Sequence, residues 1–266
     1  MDGESLHAAM LIDDNILDAV RIQTSADIRP AAEALRDAVS ERTGLLVNIT
    51  HNIATSTPMK DVDGRVLASD VFTPGEAGAL WWEVPLLGLT SPLPKACRLE
   101  GEPFWCNRSG IYSRSRNRAL EALDLSDFEA RAFTRTAIVA PVHLPFGQIG
   151  AASFVHHDHD VEDLSAIFGA HDEALALLAR IFITSYVKAT EQPREQLAGV
   201  ALTKREVECL RWAGAGKTND DIAIILGLKR TTIRFHIRSA AQKLDAVNRD
   251  QALFKAAQLG FLGKVR

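Results

Sequence analysis

Apolar and polar residues follow two different spacings in the first 188 residues of the chain. Residues 5–42 carry apolar side chains at helical intervals, whereas the short apolar runs at 45–53 and 64–72 are typical of strands. The same patterns return further along, predicting helices around 116–123, 126–135 and 161–188 and strands at 137–144 and 148–156. We therefore predict an α+β fold with helices on both faces of an antiparallel sheet of about five strands, which is an α/β/α sandwich.

The pattern changes after residue 188. Residues 189–200 are polar and contain Pro193 and Gly199, which is typical of a linker. From 201 to 266, four apolar stripes at helical spacing are separated by short turns, which predicts a four-helix helix-turn-helix domain. The organisation that we predict is a larger domain over 1–188, a linker over 189–200 and a smaller domain over 201–266.

Threonines mark the predicted helix starts in the smaller domain. Thr203 followed by Glu206 forms a capping box, Thr218 precedes the second helix, and Thr231 or Thr232 precedes the third. Gly227 is expected to end the second helix, and the fourth runs over roughly 249–259. The residues predicted to be buried on the second and third helices are Ile222, Ile225, Leu226, Ile233, Ile237, Ala240, Ala241 and Leu244.

Charge is divided unevenly between the two predicted domains. The 266 residues have a net charge of −4, but residues 1–199 hold 17 basic and 28 acidic side chains, and residues 200–266 hold 13 basic and 6 acidic. The net charges are therefore −11 and +7, a division typical of an acidic body joined to a basic nucleic-acid-binding module.

Other features of the composition exclude several classes. Three widely spaced cysteines without a C-x-x-C pair disfavour a disulfide framework or a zinc site. The acidic N-terminus disfavours a signal peptide. The uncharged run from 136 to 157 is interrupted by prolines, glycines and histidines, so it predicts two strands rather than a membrane span. We expect a cytoplasmic protein that does not associate with membranes.

The third helix of the smaller domain carries the candidate chemistry. Arg230, Arg234, Arg238 and Gln242 recur every four residues and so share one face of the helix. Guanidinium groups on such a stripe suit guanine edges and phosphates in a major groove. Lys217, Lys229 and Lys243 are predicted to hold the DNA backbone, and the helix starts at Thr218 and Thr231 to present N–H groups to phosphates.

These residues resemble a known family. The segment from Leu202 to Leu244, followed by Asn248-Arg249 and a Leu-Gly-Phe-Leu run, is similar to the LuxR-type DNA-binding domain over about 60 residues. The resemblance implies that Arg234 and Arg238 contact base edges and that the fourth helix is a dimer contact. It therefore implies a homodimer on palindromic double-stranded DNA.

The larger domain resembles the autoinducer-binding half of quorum-sensing regulators. The similarity lies in FTRTAIVAPVHLPFGQIGAASFV and in SPLPKACRLEGEPFW. A small signal molecule needs an apolar cavity with a few oriented polar groups. Candidate ligand-binding residues are Trp82, Ser91, Trp105 and Ser153.

Two of these candidates depart from the family pattern. Ser91 stands where the family has an aspartate that accepts the amide hydrogen bond of an acyl-homoserine lactone, and Trp82 stands where a tyrosine is usual. Losing a charged hydrogen-bond acceptor removes about 1.5–3 kcal/mol of favourable binding free energy. The ligand predicted from this resemblance is a small signal that need not be a standard acyl-homoserine lactone.

Enzymatic and cofactor-binding alternatives lack essential parts. Gly216-Lys217-Thr218 imitates the end of a P-loop, but Arg211 stands where that motif requires glycine. Asp13-Asp14 imitates a phosphoacceptor receiver, but 50–57 contains no aspartate. The histidines and aspartates of 156–160 are consecutive and cannot easily converge on one ion, and no G-x-S-x-G elbow supports Ser/His/Asp catalysis. We expect neither an enzyme nor a metal or cofactor.

Two functional hypotheses follow from the sequence. The first is a transcriptional regulator whose DNA binding is controlled by a small signal molecule, through a shift in conformational populations. The alternative is a ligand-independent or antagonistic regulator whose larger domain serves only as a dimerisation or interaction scaffold.

Overall fold

The computed structural model describes residues 13–73, 87–158, 160–190 and 200–263. The chain divides near residue 192 into two compact units. Each unit has hydrophobic clusters of its own. Most of the predicted linker over 189–200 lies outside the described residues, so its bounds stay a prediction.

A five-stranded antiparallel sheet forms the centre of the N-terminal unit, with the strand order β1-β5-β4-β2-β3. The strands are β1 (Leu45–Thr50), β2 (Phe104–Asn107), β3 (Gly110–Ser113), β4 (Thr136–His143) and β5 (Ile149–His156). The predicted hairpin between β4 and β5 is confirmed. The N–H of Leu144 donates to the carbonyl of Gln148 at 2.9 Å, and the turn between them uses left-handed backbone at Phe146 and Gly147.

Helices cover both faces of this sheet, as the α/β/α prediction requires. They are α1 (Asp14–Val20), α2 (Ile28–Thr43), α3 (Leu87–Thr90), α4 (Pro92–Leu99), α5 (Arg118–Glu121), α6 (Phe128–Ala132) and α7 (Ser165–Thr190). Successive strand residues point to opposite faces. One core therefore joins Val47, Ile138 and Phe154 to α2 and α7, and a second joins Phe104 and Val139 to α4, α5 and α6.

The strand predicted at 64–72 is wrong. Only a single bridge pairs Val66 with Lys60, and Ala68–Phe72 forms a turn of π-helix. The physical reason is the spacing of the buried residues, which are Leu67, Ala68, Val71 and Phe72. That spacing is helical and places them on one side of the turn, where Leu67, Val71 and Phe72 pack into the same core as α2.

Four helices form the C-terminal unit, which confirms the predicted helix-turn-helix class. They are α8 (Lys204–Gly214), α9 (Asn219–Leu226), α10 (Arg230–Lys243) and α11 (Arg249–Gln258). The capping box of Thr203 and Glu206 is present, Thr218 forms a second one with Asp221, and Gly227 ends α9 in the left-handed conformation. No helix in the described ranges is long and apolar enough to cross a membrane.

Two details of the predicted helices need correction. Helix α10 begins at Arg230 after Lys229, so neither Thr231 nor Thr232 caps it. Ile225 is exposed because the buried side of α9 is centred on Ile222 and Ala223. At about 100° per residue, Ile225 lies more than a quarter turn from that centre.

Candidate nucleic-acid interface and ligand cavity

Helix α10 has one buried face and one exposed face. Ile233, Ile237 and Ala240 lie in the core of the C-terminal unit. The residues predicted to contact DNA from this helix are all exposed, namely Arg230, Thr231, Arg234, Arg238 and Gln242. The helix contains four basic and no acidic residues. Its solvent face is therefore cationic and rich in hydrogen-bond donors.

The arginines of this face differ in their contacts. Nε of Arg230 lies 3.3 Å from Oδ1 of Asp220, at the start of α9. Arg234 and Arg238 form no ion pair with another described residue, so their guanidinium groups are not held by a carboxylate of this unit. Thr231 lies in the first turn of α10, where its side chain is exposed. Arg234 and Arg238 are consequently the residues best placed to bind an external anion.

Lys217 and Thr218 precede α9 in an exposed turn. The hydroxyl of Thr218 donates to Oδ2 of Asp221 at 2.7 Å, and its oxygen accepts the N–H of Asp221 at 3.2 Å. The hydrogen bonds that the hydroxyl and the N–H of Thr218 donate to the carboxylate of Asp221 lower the pKa of Asp221. The carbonyl of Lys217 accepts from Nη2 of Arg249 at 2.7 Å, while its side chain is exposed. The hydroxyl of Thr218 thus closes the cap, and the side chain of Lys217 is exposed beside it.

A buried carboxylate links α8 to α10. Glu206 is 3% exposed; its Oε2 accepts from Nζ of Lys243 at 2.8 Å and from the N–H of Thr203 at 2.7 Å, and its Oε1 accepts from Oγ of Ser239 at 2.8 Å. Lys243, which we expected at the DNA backbone, is instead paired with Glu206, although its side chain is partly exposed. Sequence reasoning identified Glu206 as a cap residue but missed this link, because its partners lie 33 and 37 residues away.

The N-terminal unit contains a cavity of about 150 Å³. It lies on the face of the sheet that packs against α4, α5 and α6. Asn48, Val139 and Ser153 form its floor. Its walls come from α4 and the residue before it and from the end of α6 and the residues that follow, with Ser91, Leu93, Cys97, Arg131 and Phe133 among the lining residues. Apolar walls with a few polar groups are typical of small-molecule sites.

Strand pairing places the floor residues in one row. Asn48 of β1 is opposite Ser153 of β5, and Ser153 is opposite Val139 of β4. Directly opposite residues of an antiparallel pair share a face of the sheet. An amide and a hydroxyl therefore lie side by side beneath an apolar space. Asn48 could not be identified from the sequence, because the pairing register of β1 with a strand a hundred residues later has no local signal.

The four predicted ligand-binding residues do not all meet. Ser91 and Ser153 line the same cavity. Trp105 pairs with Ile138 and packs with the core on the opposite face, where its ring stacks on Tyr112 at a centroid distance of 4.5 Å. Trp105 therefore does not line this cavity, contrary to our prediction. Trp82 lies outside the described residues.

Arg131 braces one wall of the cavity. Its Nη2 donates to the carbonyl of Thr90 at 2.6 Å, immediately before Ser91, and its Nη1 donates to Oδ2 of Asp124 at 2.8 Å. Hydrogen bonds from Ser126 and from Arg131 lower the pKa of Asp124 to about 2. A charged side chain thus joins the start of α4 to the segment before α6.

Comparison with known proteins agrees with this geometry in the C-terminal unit. Residues 200–256 match the family described as bacterial regulatory proteins, luxR family. The chain is 31% identical over 174 residues to the transcriptional activator protein AhyR of Aeromonas hydrophila, a match that covers 64% of each chain. It is 34% identical over 125 residues to the transcriptional activator protein LuxR of Aliivibrio fischeri, covering 47% of this chain and 49% of that protein.

A solved structure, SdiA of Escherichia coli, aligns with 99% of this chain and 100% of its own at 20% identity and a TM-score of 0.47. The four helices and the family match define residues 200–256 as a helix-turn-helix domain of the LuxR type. Outside this domain the chain is compared only in part, since it spans 64% of the length of AhyR and 49% of the length of LuxR.

Proposed function

We propose that this chain is a transcriptional regulator that binds a palindromic operator as a homodimer and responds to a small molecule held in the cavity of its N-terminal unit. The observation that carries the proposal is the exposed face of α10. There Arg234, Arg238 and Gln242 project from a helix without a single acidic residue. A helix of this kind in a helix-turn-helix domain fits the major groove.

The spacing on α10 supports base recognition. Arg234 and Arg238 are separated by one helical turn, about 6 Å along the axis. That distance is close to two base-pair steps of about 3.4 Å. Each guanidinium can donate two hydrogen bonds to a guanine edge. Lys217, Thr218, Arg230 and Thr231 surround this pair and are proposed to contact or approach phosphates.

A dimer is supported by α11 and the turn before it. Phe254 and Val247 are both large apolar residues that are exposed in the single chain. We propose that a second copy covers them, so that two α10 helices bind two half-sites of a palindrome. Because such a regulator must reach the bacterial DNA, we propose that it is located in the cytoplasm. We also propose that it has no enzymatic activity and needs no cofactor.

Arginine replacement tests the DNA-binding proposal. Arg234→Ala and Arg238→Ala should each weaken specific binding by about 1–3 kcal/mol, since each removes a bidentate base contact. Fluorescence anisotropy on a duplex obtained by in vitro selection with the full chain measures this effect. Arg205→Ala, on an exposed residue of α8 that pairs with Glu208, is the matched control. Unchanged affinity in both α10 variants would contradict the assignment.

The residues that line the cavity favour a ligand other than a standard acyl-homoserine lactone. No aspartate or glutamate is present among the described residues that line it, and Ser91 is buried at the start of α4, where its oxygen accepts the N–H of Leu93. The polar groups of the floor are the neutral side chains of Asn48 and Ser153. We propose a small, largely apolar signal with a neutral hydrogen-bonding head.

Filling the cavity tests the ligand proposal. A panel of acyl-homoserine lactones and non-lactone cell extracts should include a sample that raises the melting temperature of the full chain. Ser153→Phe should abolish this shift because its ring occupies the floor. The control is Ser109→Phe, at an exposed serine of the β2–β3 turn. If no sample shifts the protein and native mass spectrometry finds no co-purifying molecule, the ligand-independent scaffold is favoured.

A further inference from the structure

Phe235 is an unusual residue on the exposed side of α10. It is 66% exposed, although the helix around it is strongly basic. Its ring meets the imidazole of His236 edge-on at a centroid distance of 5.7 Å, and it belongs to neither hydrophobic cluster of the C-terminal unit. Phe235 therefore leaves most of its apolar surface in water.

The position of Phe235 on the helix is well defined. The buried side of α10 is set by Ile233, Ile237 and Ala240. At about 100° per residue, Phe235 lies almost half a turn from the centre of that side, about one turn along the axis from Thr231 and from Arg238. It is thus on the outermost line of the helix, the line that a groove would meet first.

We propose that Phe235 determines operator specificity by packing against the C5-methyl group of a thymine in each half-site. The inference rests on the DNA-binding role proposed above and adds a residue that the arginine pattern did not include. Thymine is the base that presents an apolar group in the major groove, and an exposed aromatic ring is a suitable contact for it.

The charges around Phe235 favour DNA over a protein partner. Arg234 precedes it directly, Arg238 follows it about one turn further along the exposed side, and the helix has no acidic residue. The positive charge around Phe235 is therefore complementary to a polyanion such as DNA. Ile224 provides the contrast: it is 82% exposed on α9, but that helix has Asp220 and Asp221 in its first turn. An apolar side chain on an acidic helix is unsuited to a phosphate-lined groove.

Replacement of thymine by uracil isolates the proposed contact, since it removes one methyl group and leaves base pairing intact. The probe is a duplex obtained by in vitro selection with the full chain, in which each thymine is changed to uracil in turn. Burial of one methyl group predicts that binding becomes about fourfold weaker at one position of each half-site. The variant Phe235→Ala should bind the thymine and uracil duplexes equally at that position.

Controls separate this inference from the proposed function. The variant Ile224→Ala should retain the full uracil effect, because Ile224 is a still more exposed apolar residue that lies outside α10. If the selected DNA binds but no uracil position matters, or if the effect survives in Phe235→Ala, the role of Phe235 is overturned while DNA binding stands. If selection enriches no duplex, the proposed function fails and this inference fails with it.

Discussion

Replacing Glu206 by alanine is expected to lower the free energy of unfolding of the C-terminal unit by about 2–4 kcal/mol. The carboxylate accepts hydrogen bonds from Ser239, Lys243 and the backbone of Thr203, and it is almost completely buried. Lys243 is partly exposed and can turn to water, which keeps the loss below that of a fully buried pair. Denaturant-dependent hydrogen exchange of the full chain, followed in peptides within 203–244, measures the change.

The same substitution should also weaken DNA binding. Glu206 lies on α8 and its partners Ser239 and Lys243 lie on α10, so the carboxylate determines how α10 is held. DNA affinity should fall even though Arg234 and Arg238 remain. Glu208→Ala is the matched control, because that glutamate of the same helix pairs with Arg205 at the surface. Its expected cost is at most about 1 kcal/mol; equal losses in both variants would show that the buried link is unimportant.

Acidification should remove the contribution of Glu206 to the stability of the folded state over a defined pH range. Burial opposes ionisation, but the hydrogen bonds from Lys243, Thr203 and Ser239 outweigh it and lower the pKa from 4.5 to about 2. A depressed carboxyl pKa stabilises the folded state above the unfolded value and loses this effect as the pH falls through the folded value. The difference in stability between wild type and Glu206→Ala should therefore be constant above about pH 5 and shrink toward pH 2.

Gly150→Ala is expected to destabilise the N-terminal unit by about 2–3 kcal/mol. A methyl group at this position of β5 would lie 2.7 Å from Cγ2 of Ile183 on α7 and 3.0 Å from the carbonyl oxygen of Thr50. Ile183 is completely buried, so it cannot swing away, and the oxygen belongs to the backbone of β1. Either α7 or β1 must shift. Urea denaturation of the full chain, with hydrogen exchange in β5 and α7, reports the loss.

Two further variants test the steric origin of this effect. Gly101→Ala adds a methyl group where no atom lies within 4 Å, so its stability should change by less than about 0.5 kcal/mol. In an Ile183→Ala background, the additional cost of Gly150→Ala should fall, because the contacting methyl group is gone. An equal cost in both backgrounds would assign the effect to the contact with the backbone of β1 rather than to the contact with α7.

Local signals explain why the helices of the C-terminal unit were predictable. A capping box joins residues three positions apart, as in Thr203 with Glu206, and Gly227 supplies the left-handed end of α9. Burial was less predictable at the ends of short helices. Ile225 fits an apolar stripe in the sequence but is exposed, because α9 has only two turns and its side toward the core was decided by its neighbours.

In the N-terminal unit, the lack of a decisive local signal explains why the strand predicted at 64–72 is wrong. A short apolar run has no period that separates a strand from a buried turn of helix. The outcome was decided by packing of Leu67, Val71 and Phe72 into the core shared with α2. The β4–β5 hairpin, by contrast, has its two strands joined by only five residues, so its pairing was determined locally.

The sequence by itself determined the division of charge, the class of the C-terminal domain and the arginine face of α10, because all three depend on composition or on residues within a few turns of one another. Tertiary structure alone decided the rest. Pairing with Ile138 turns Trp105 away from the cavity, and pairing with Ser153 brings Asn48 into it. The packing of α8 on α10 assigns Lys243 to Glu206. Strand register and helix packing join residues far apart in the chain, and a one-residue change in register exchanges the faces of a sheet.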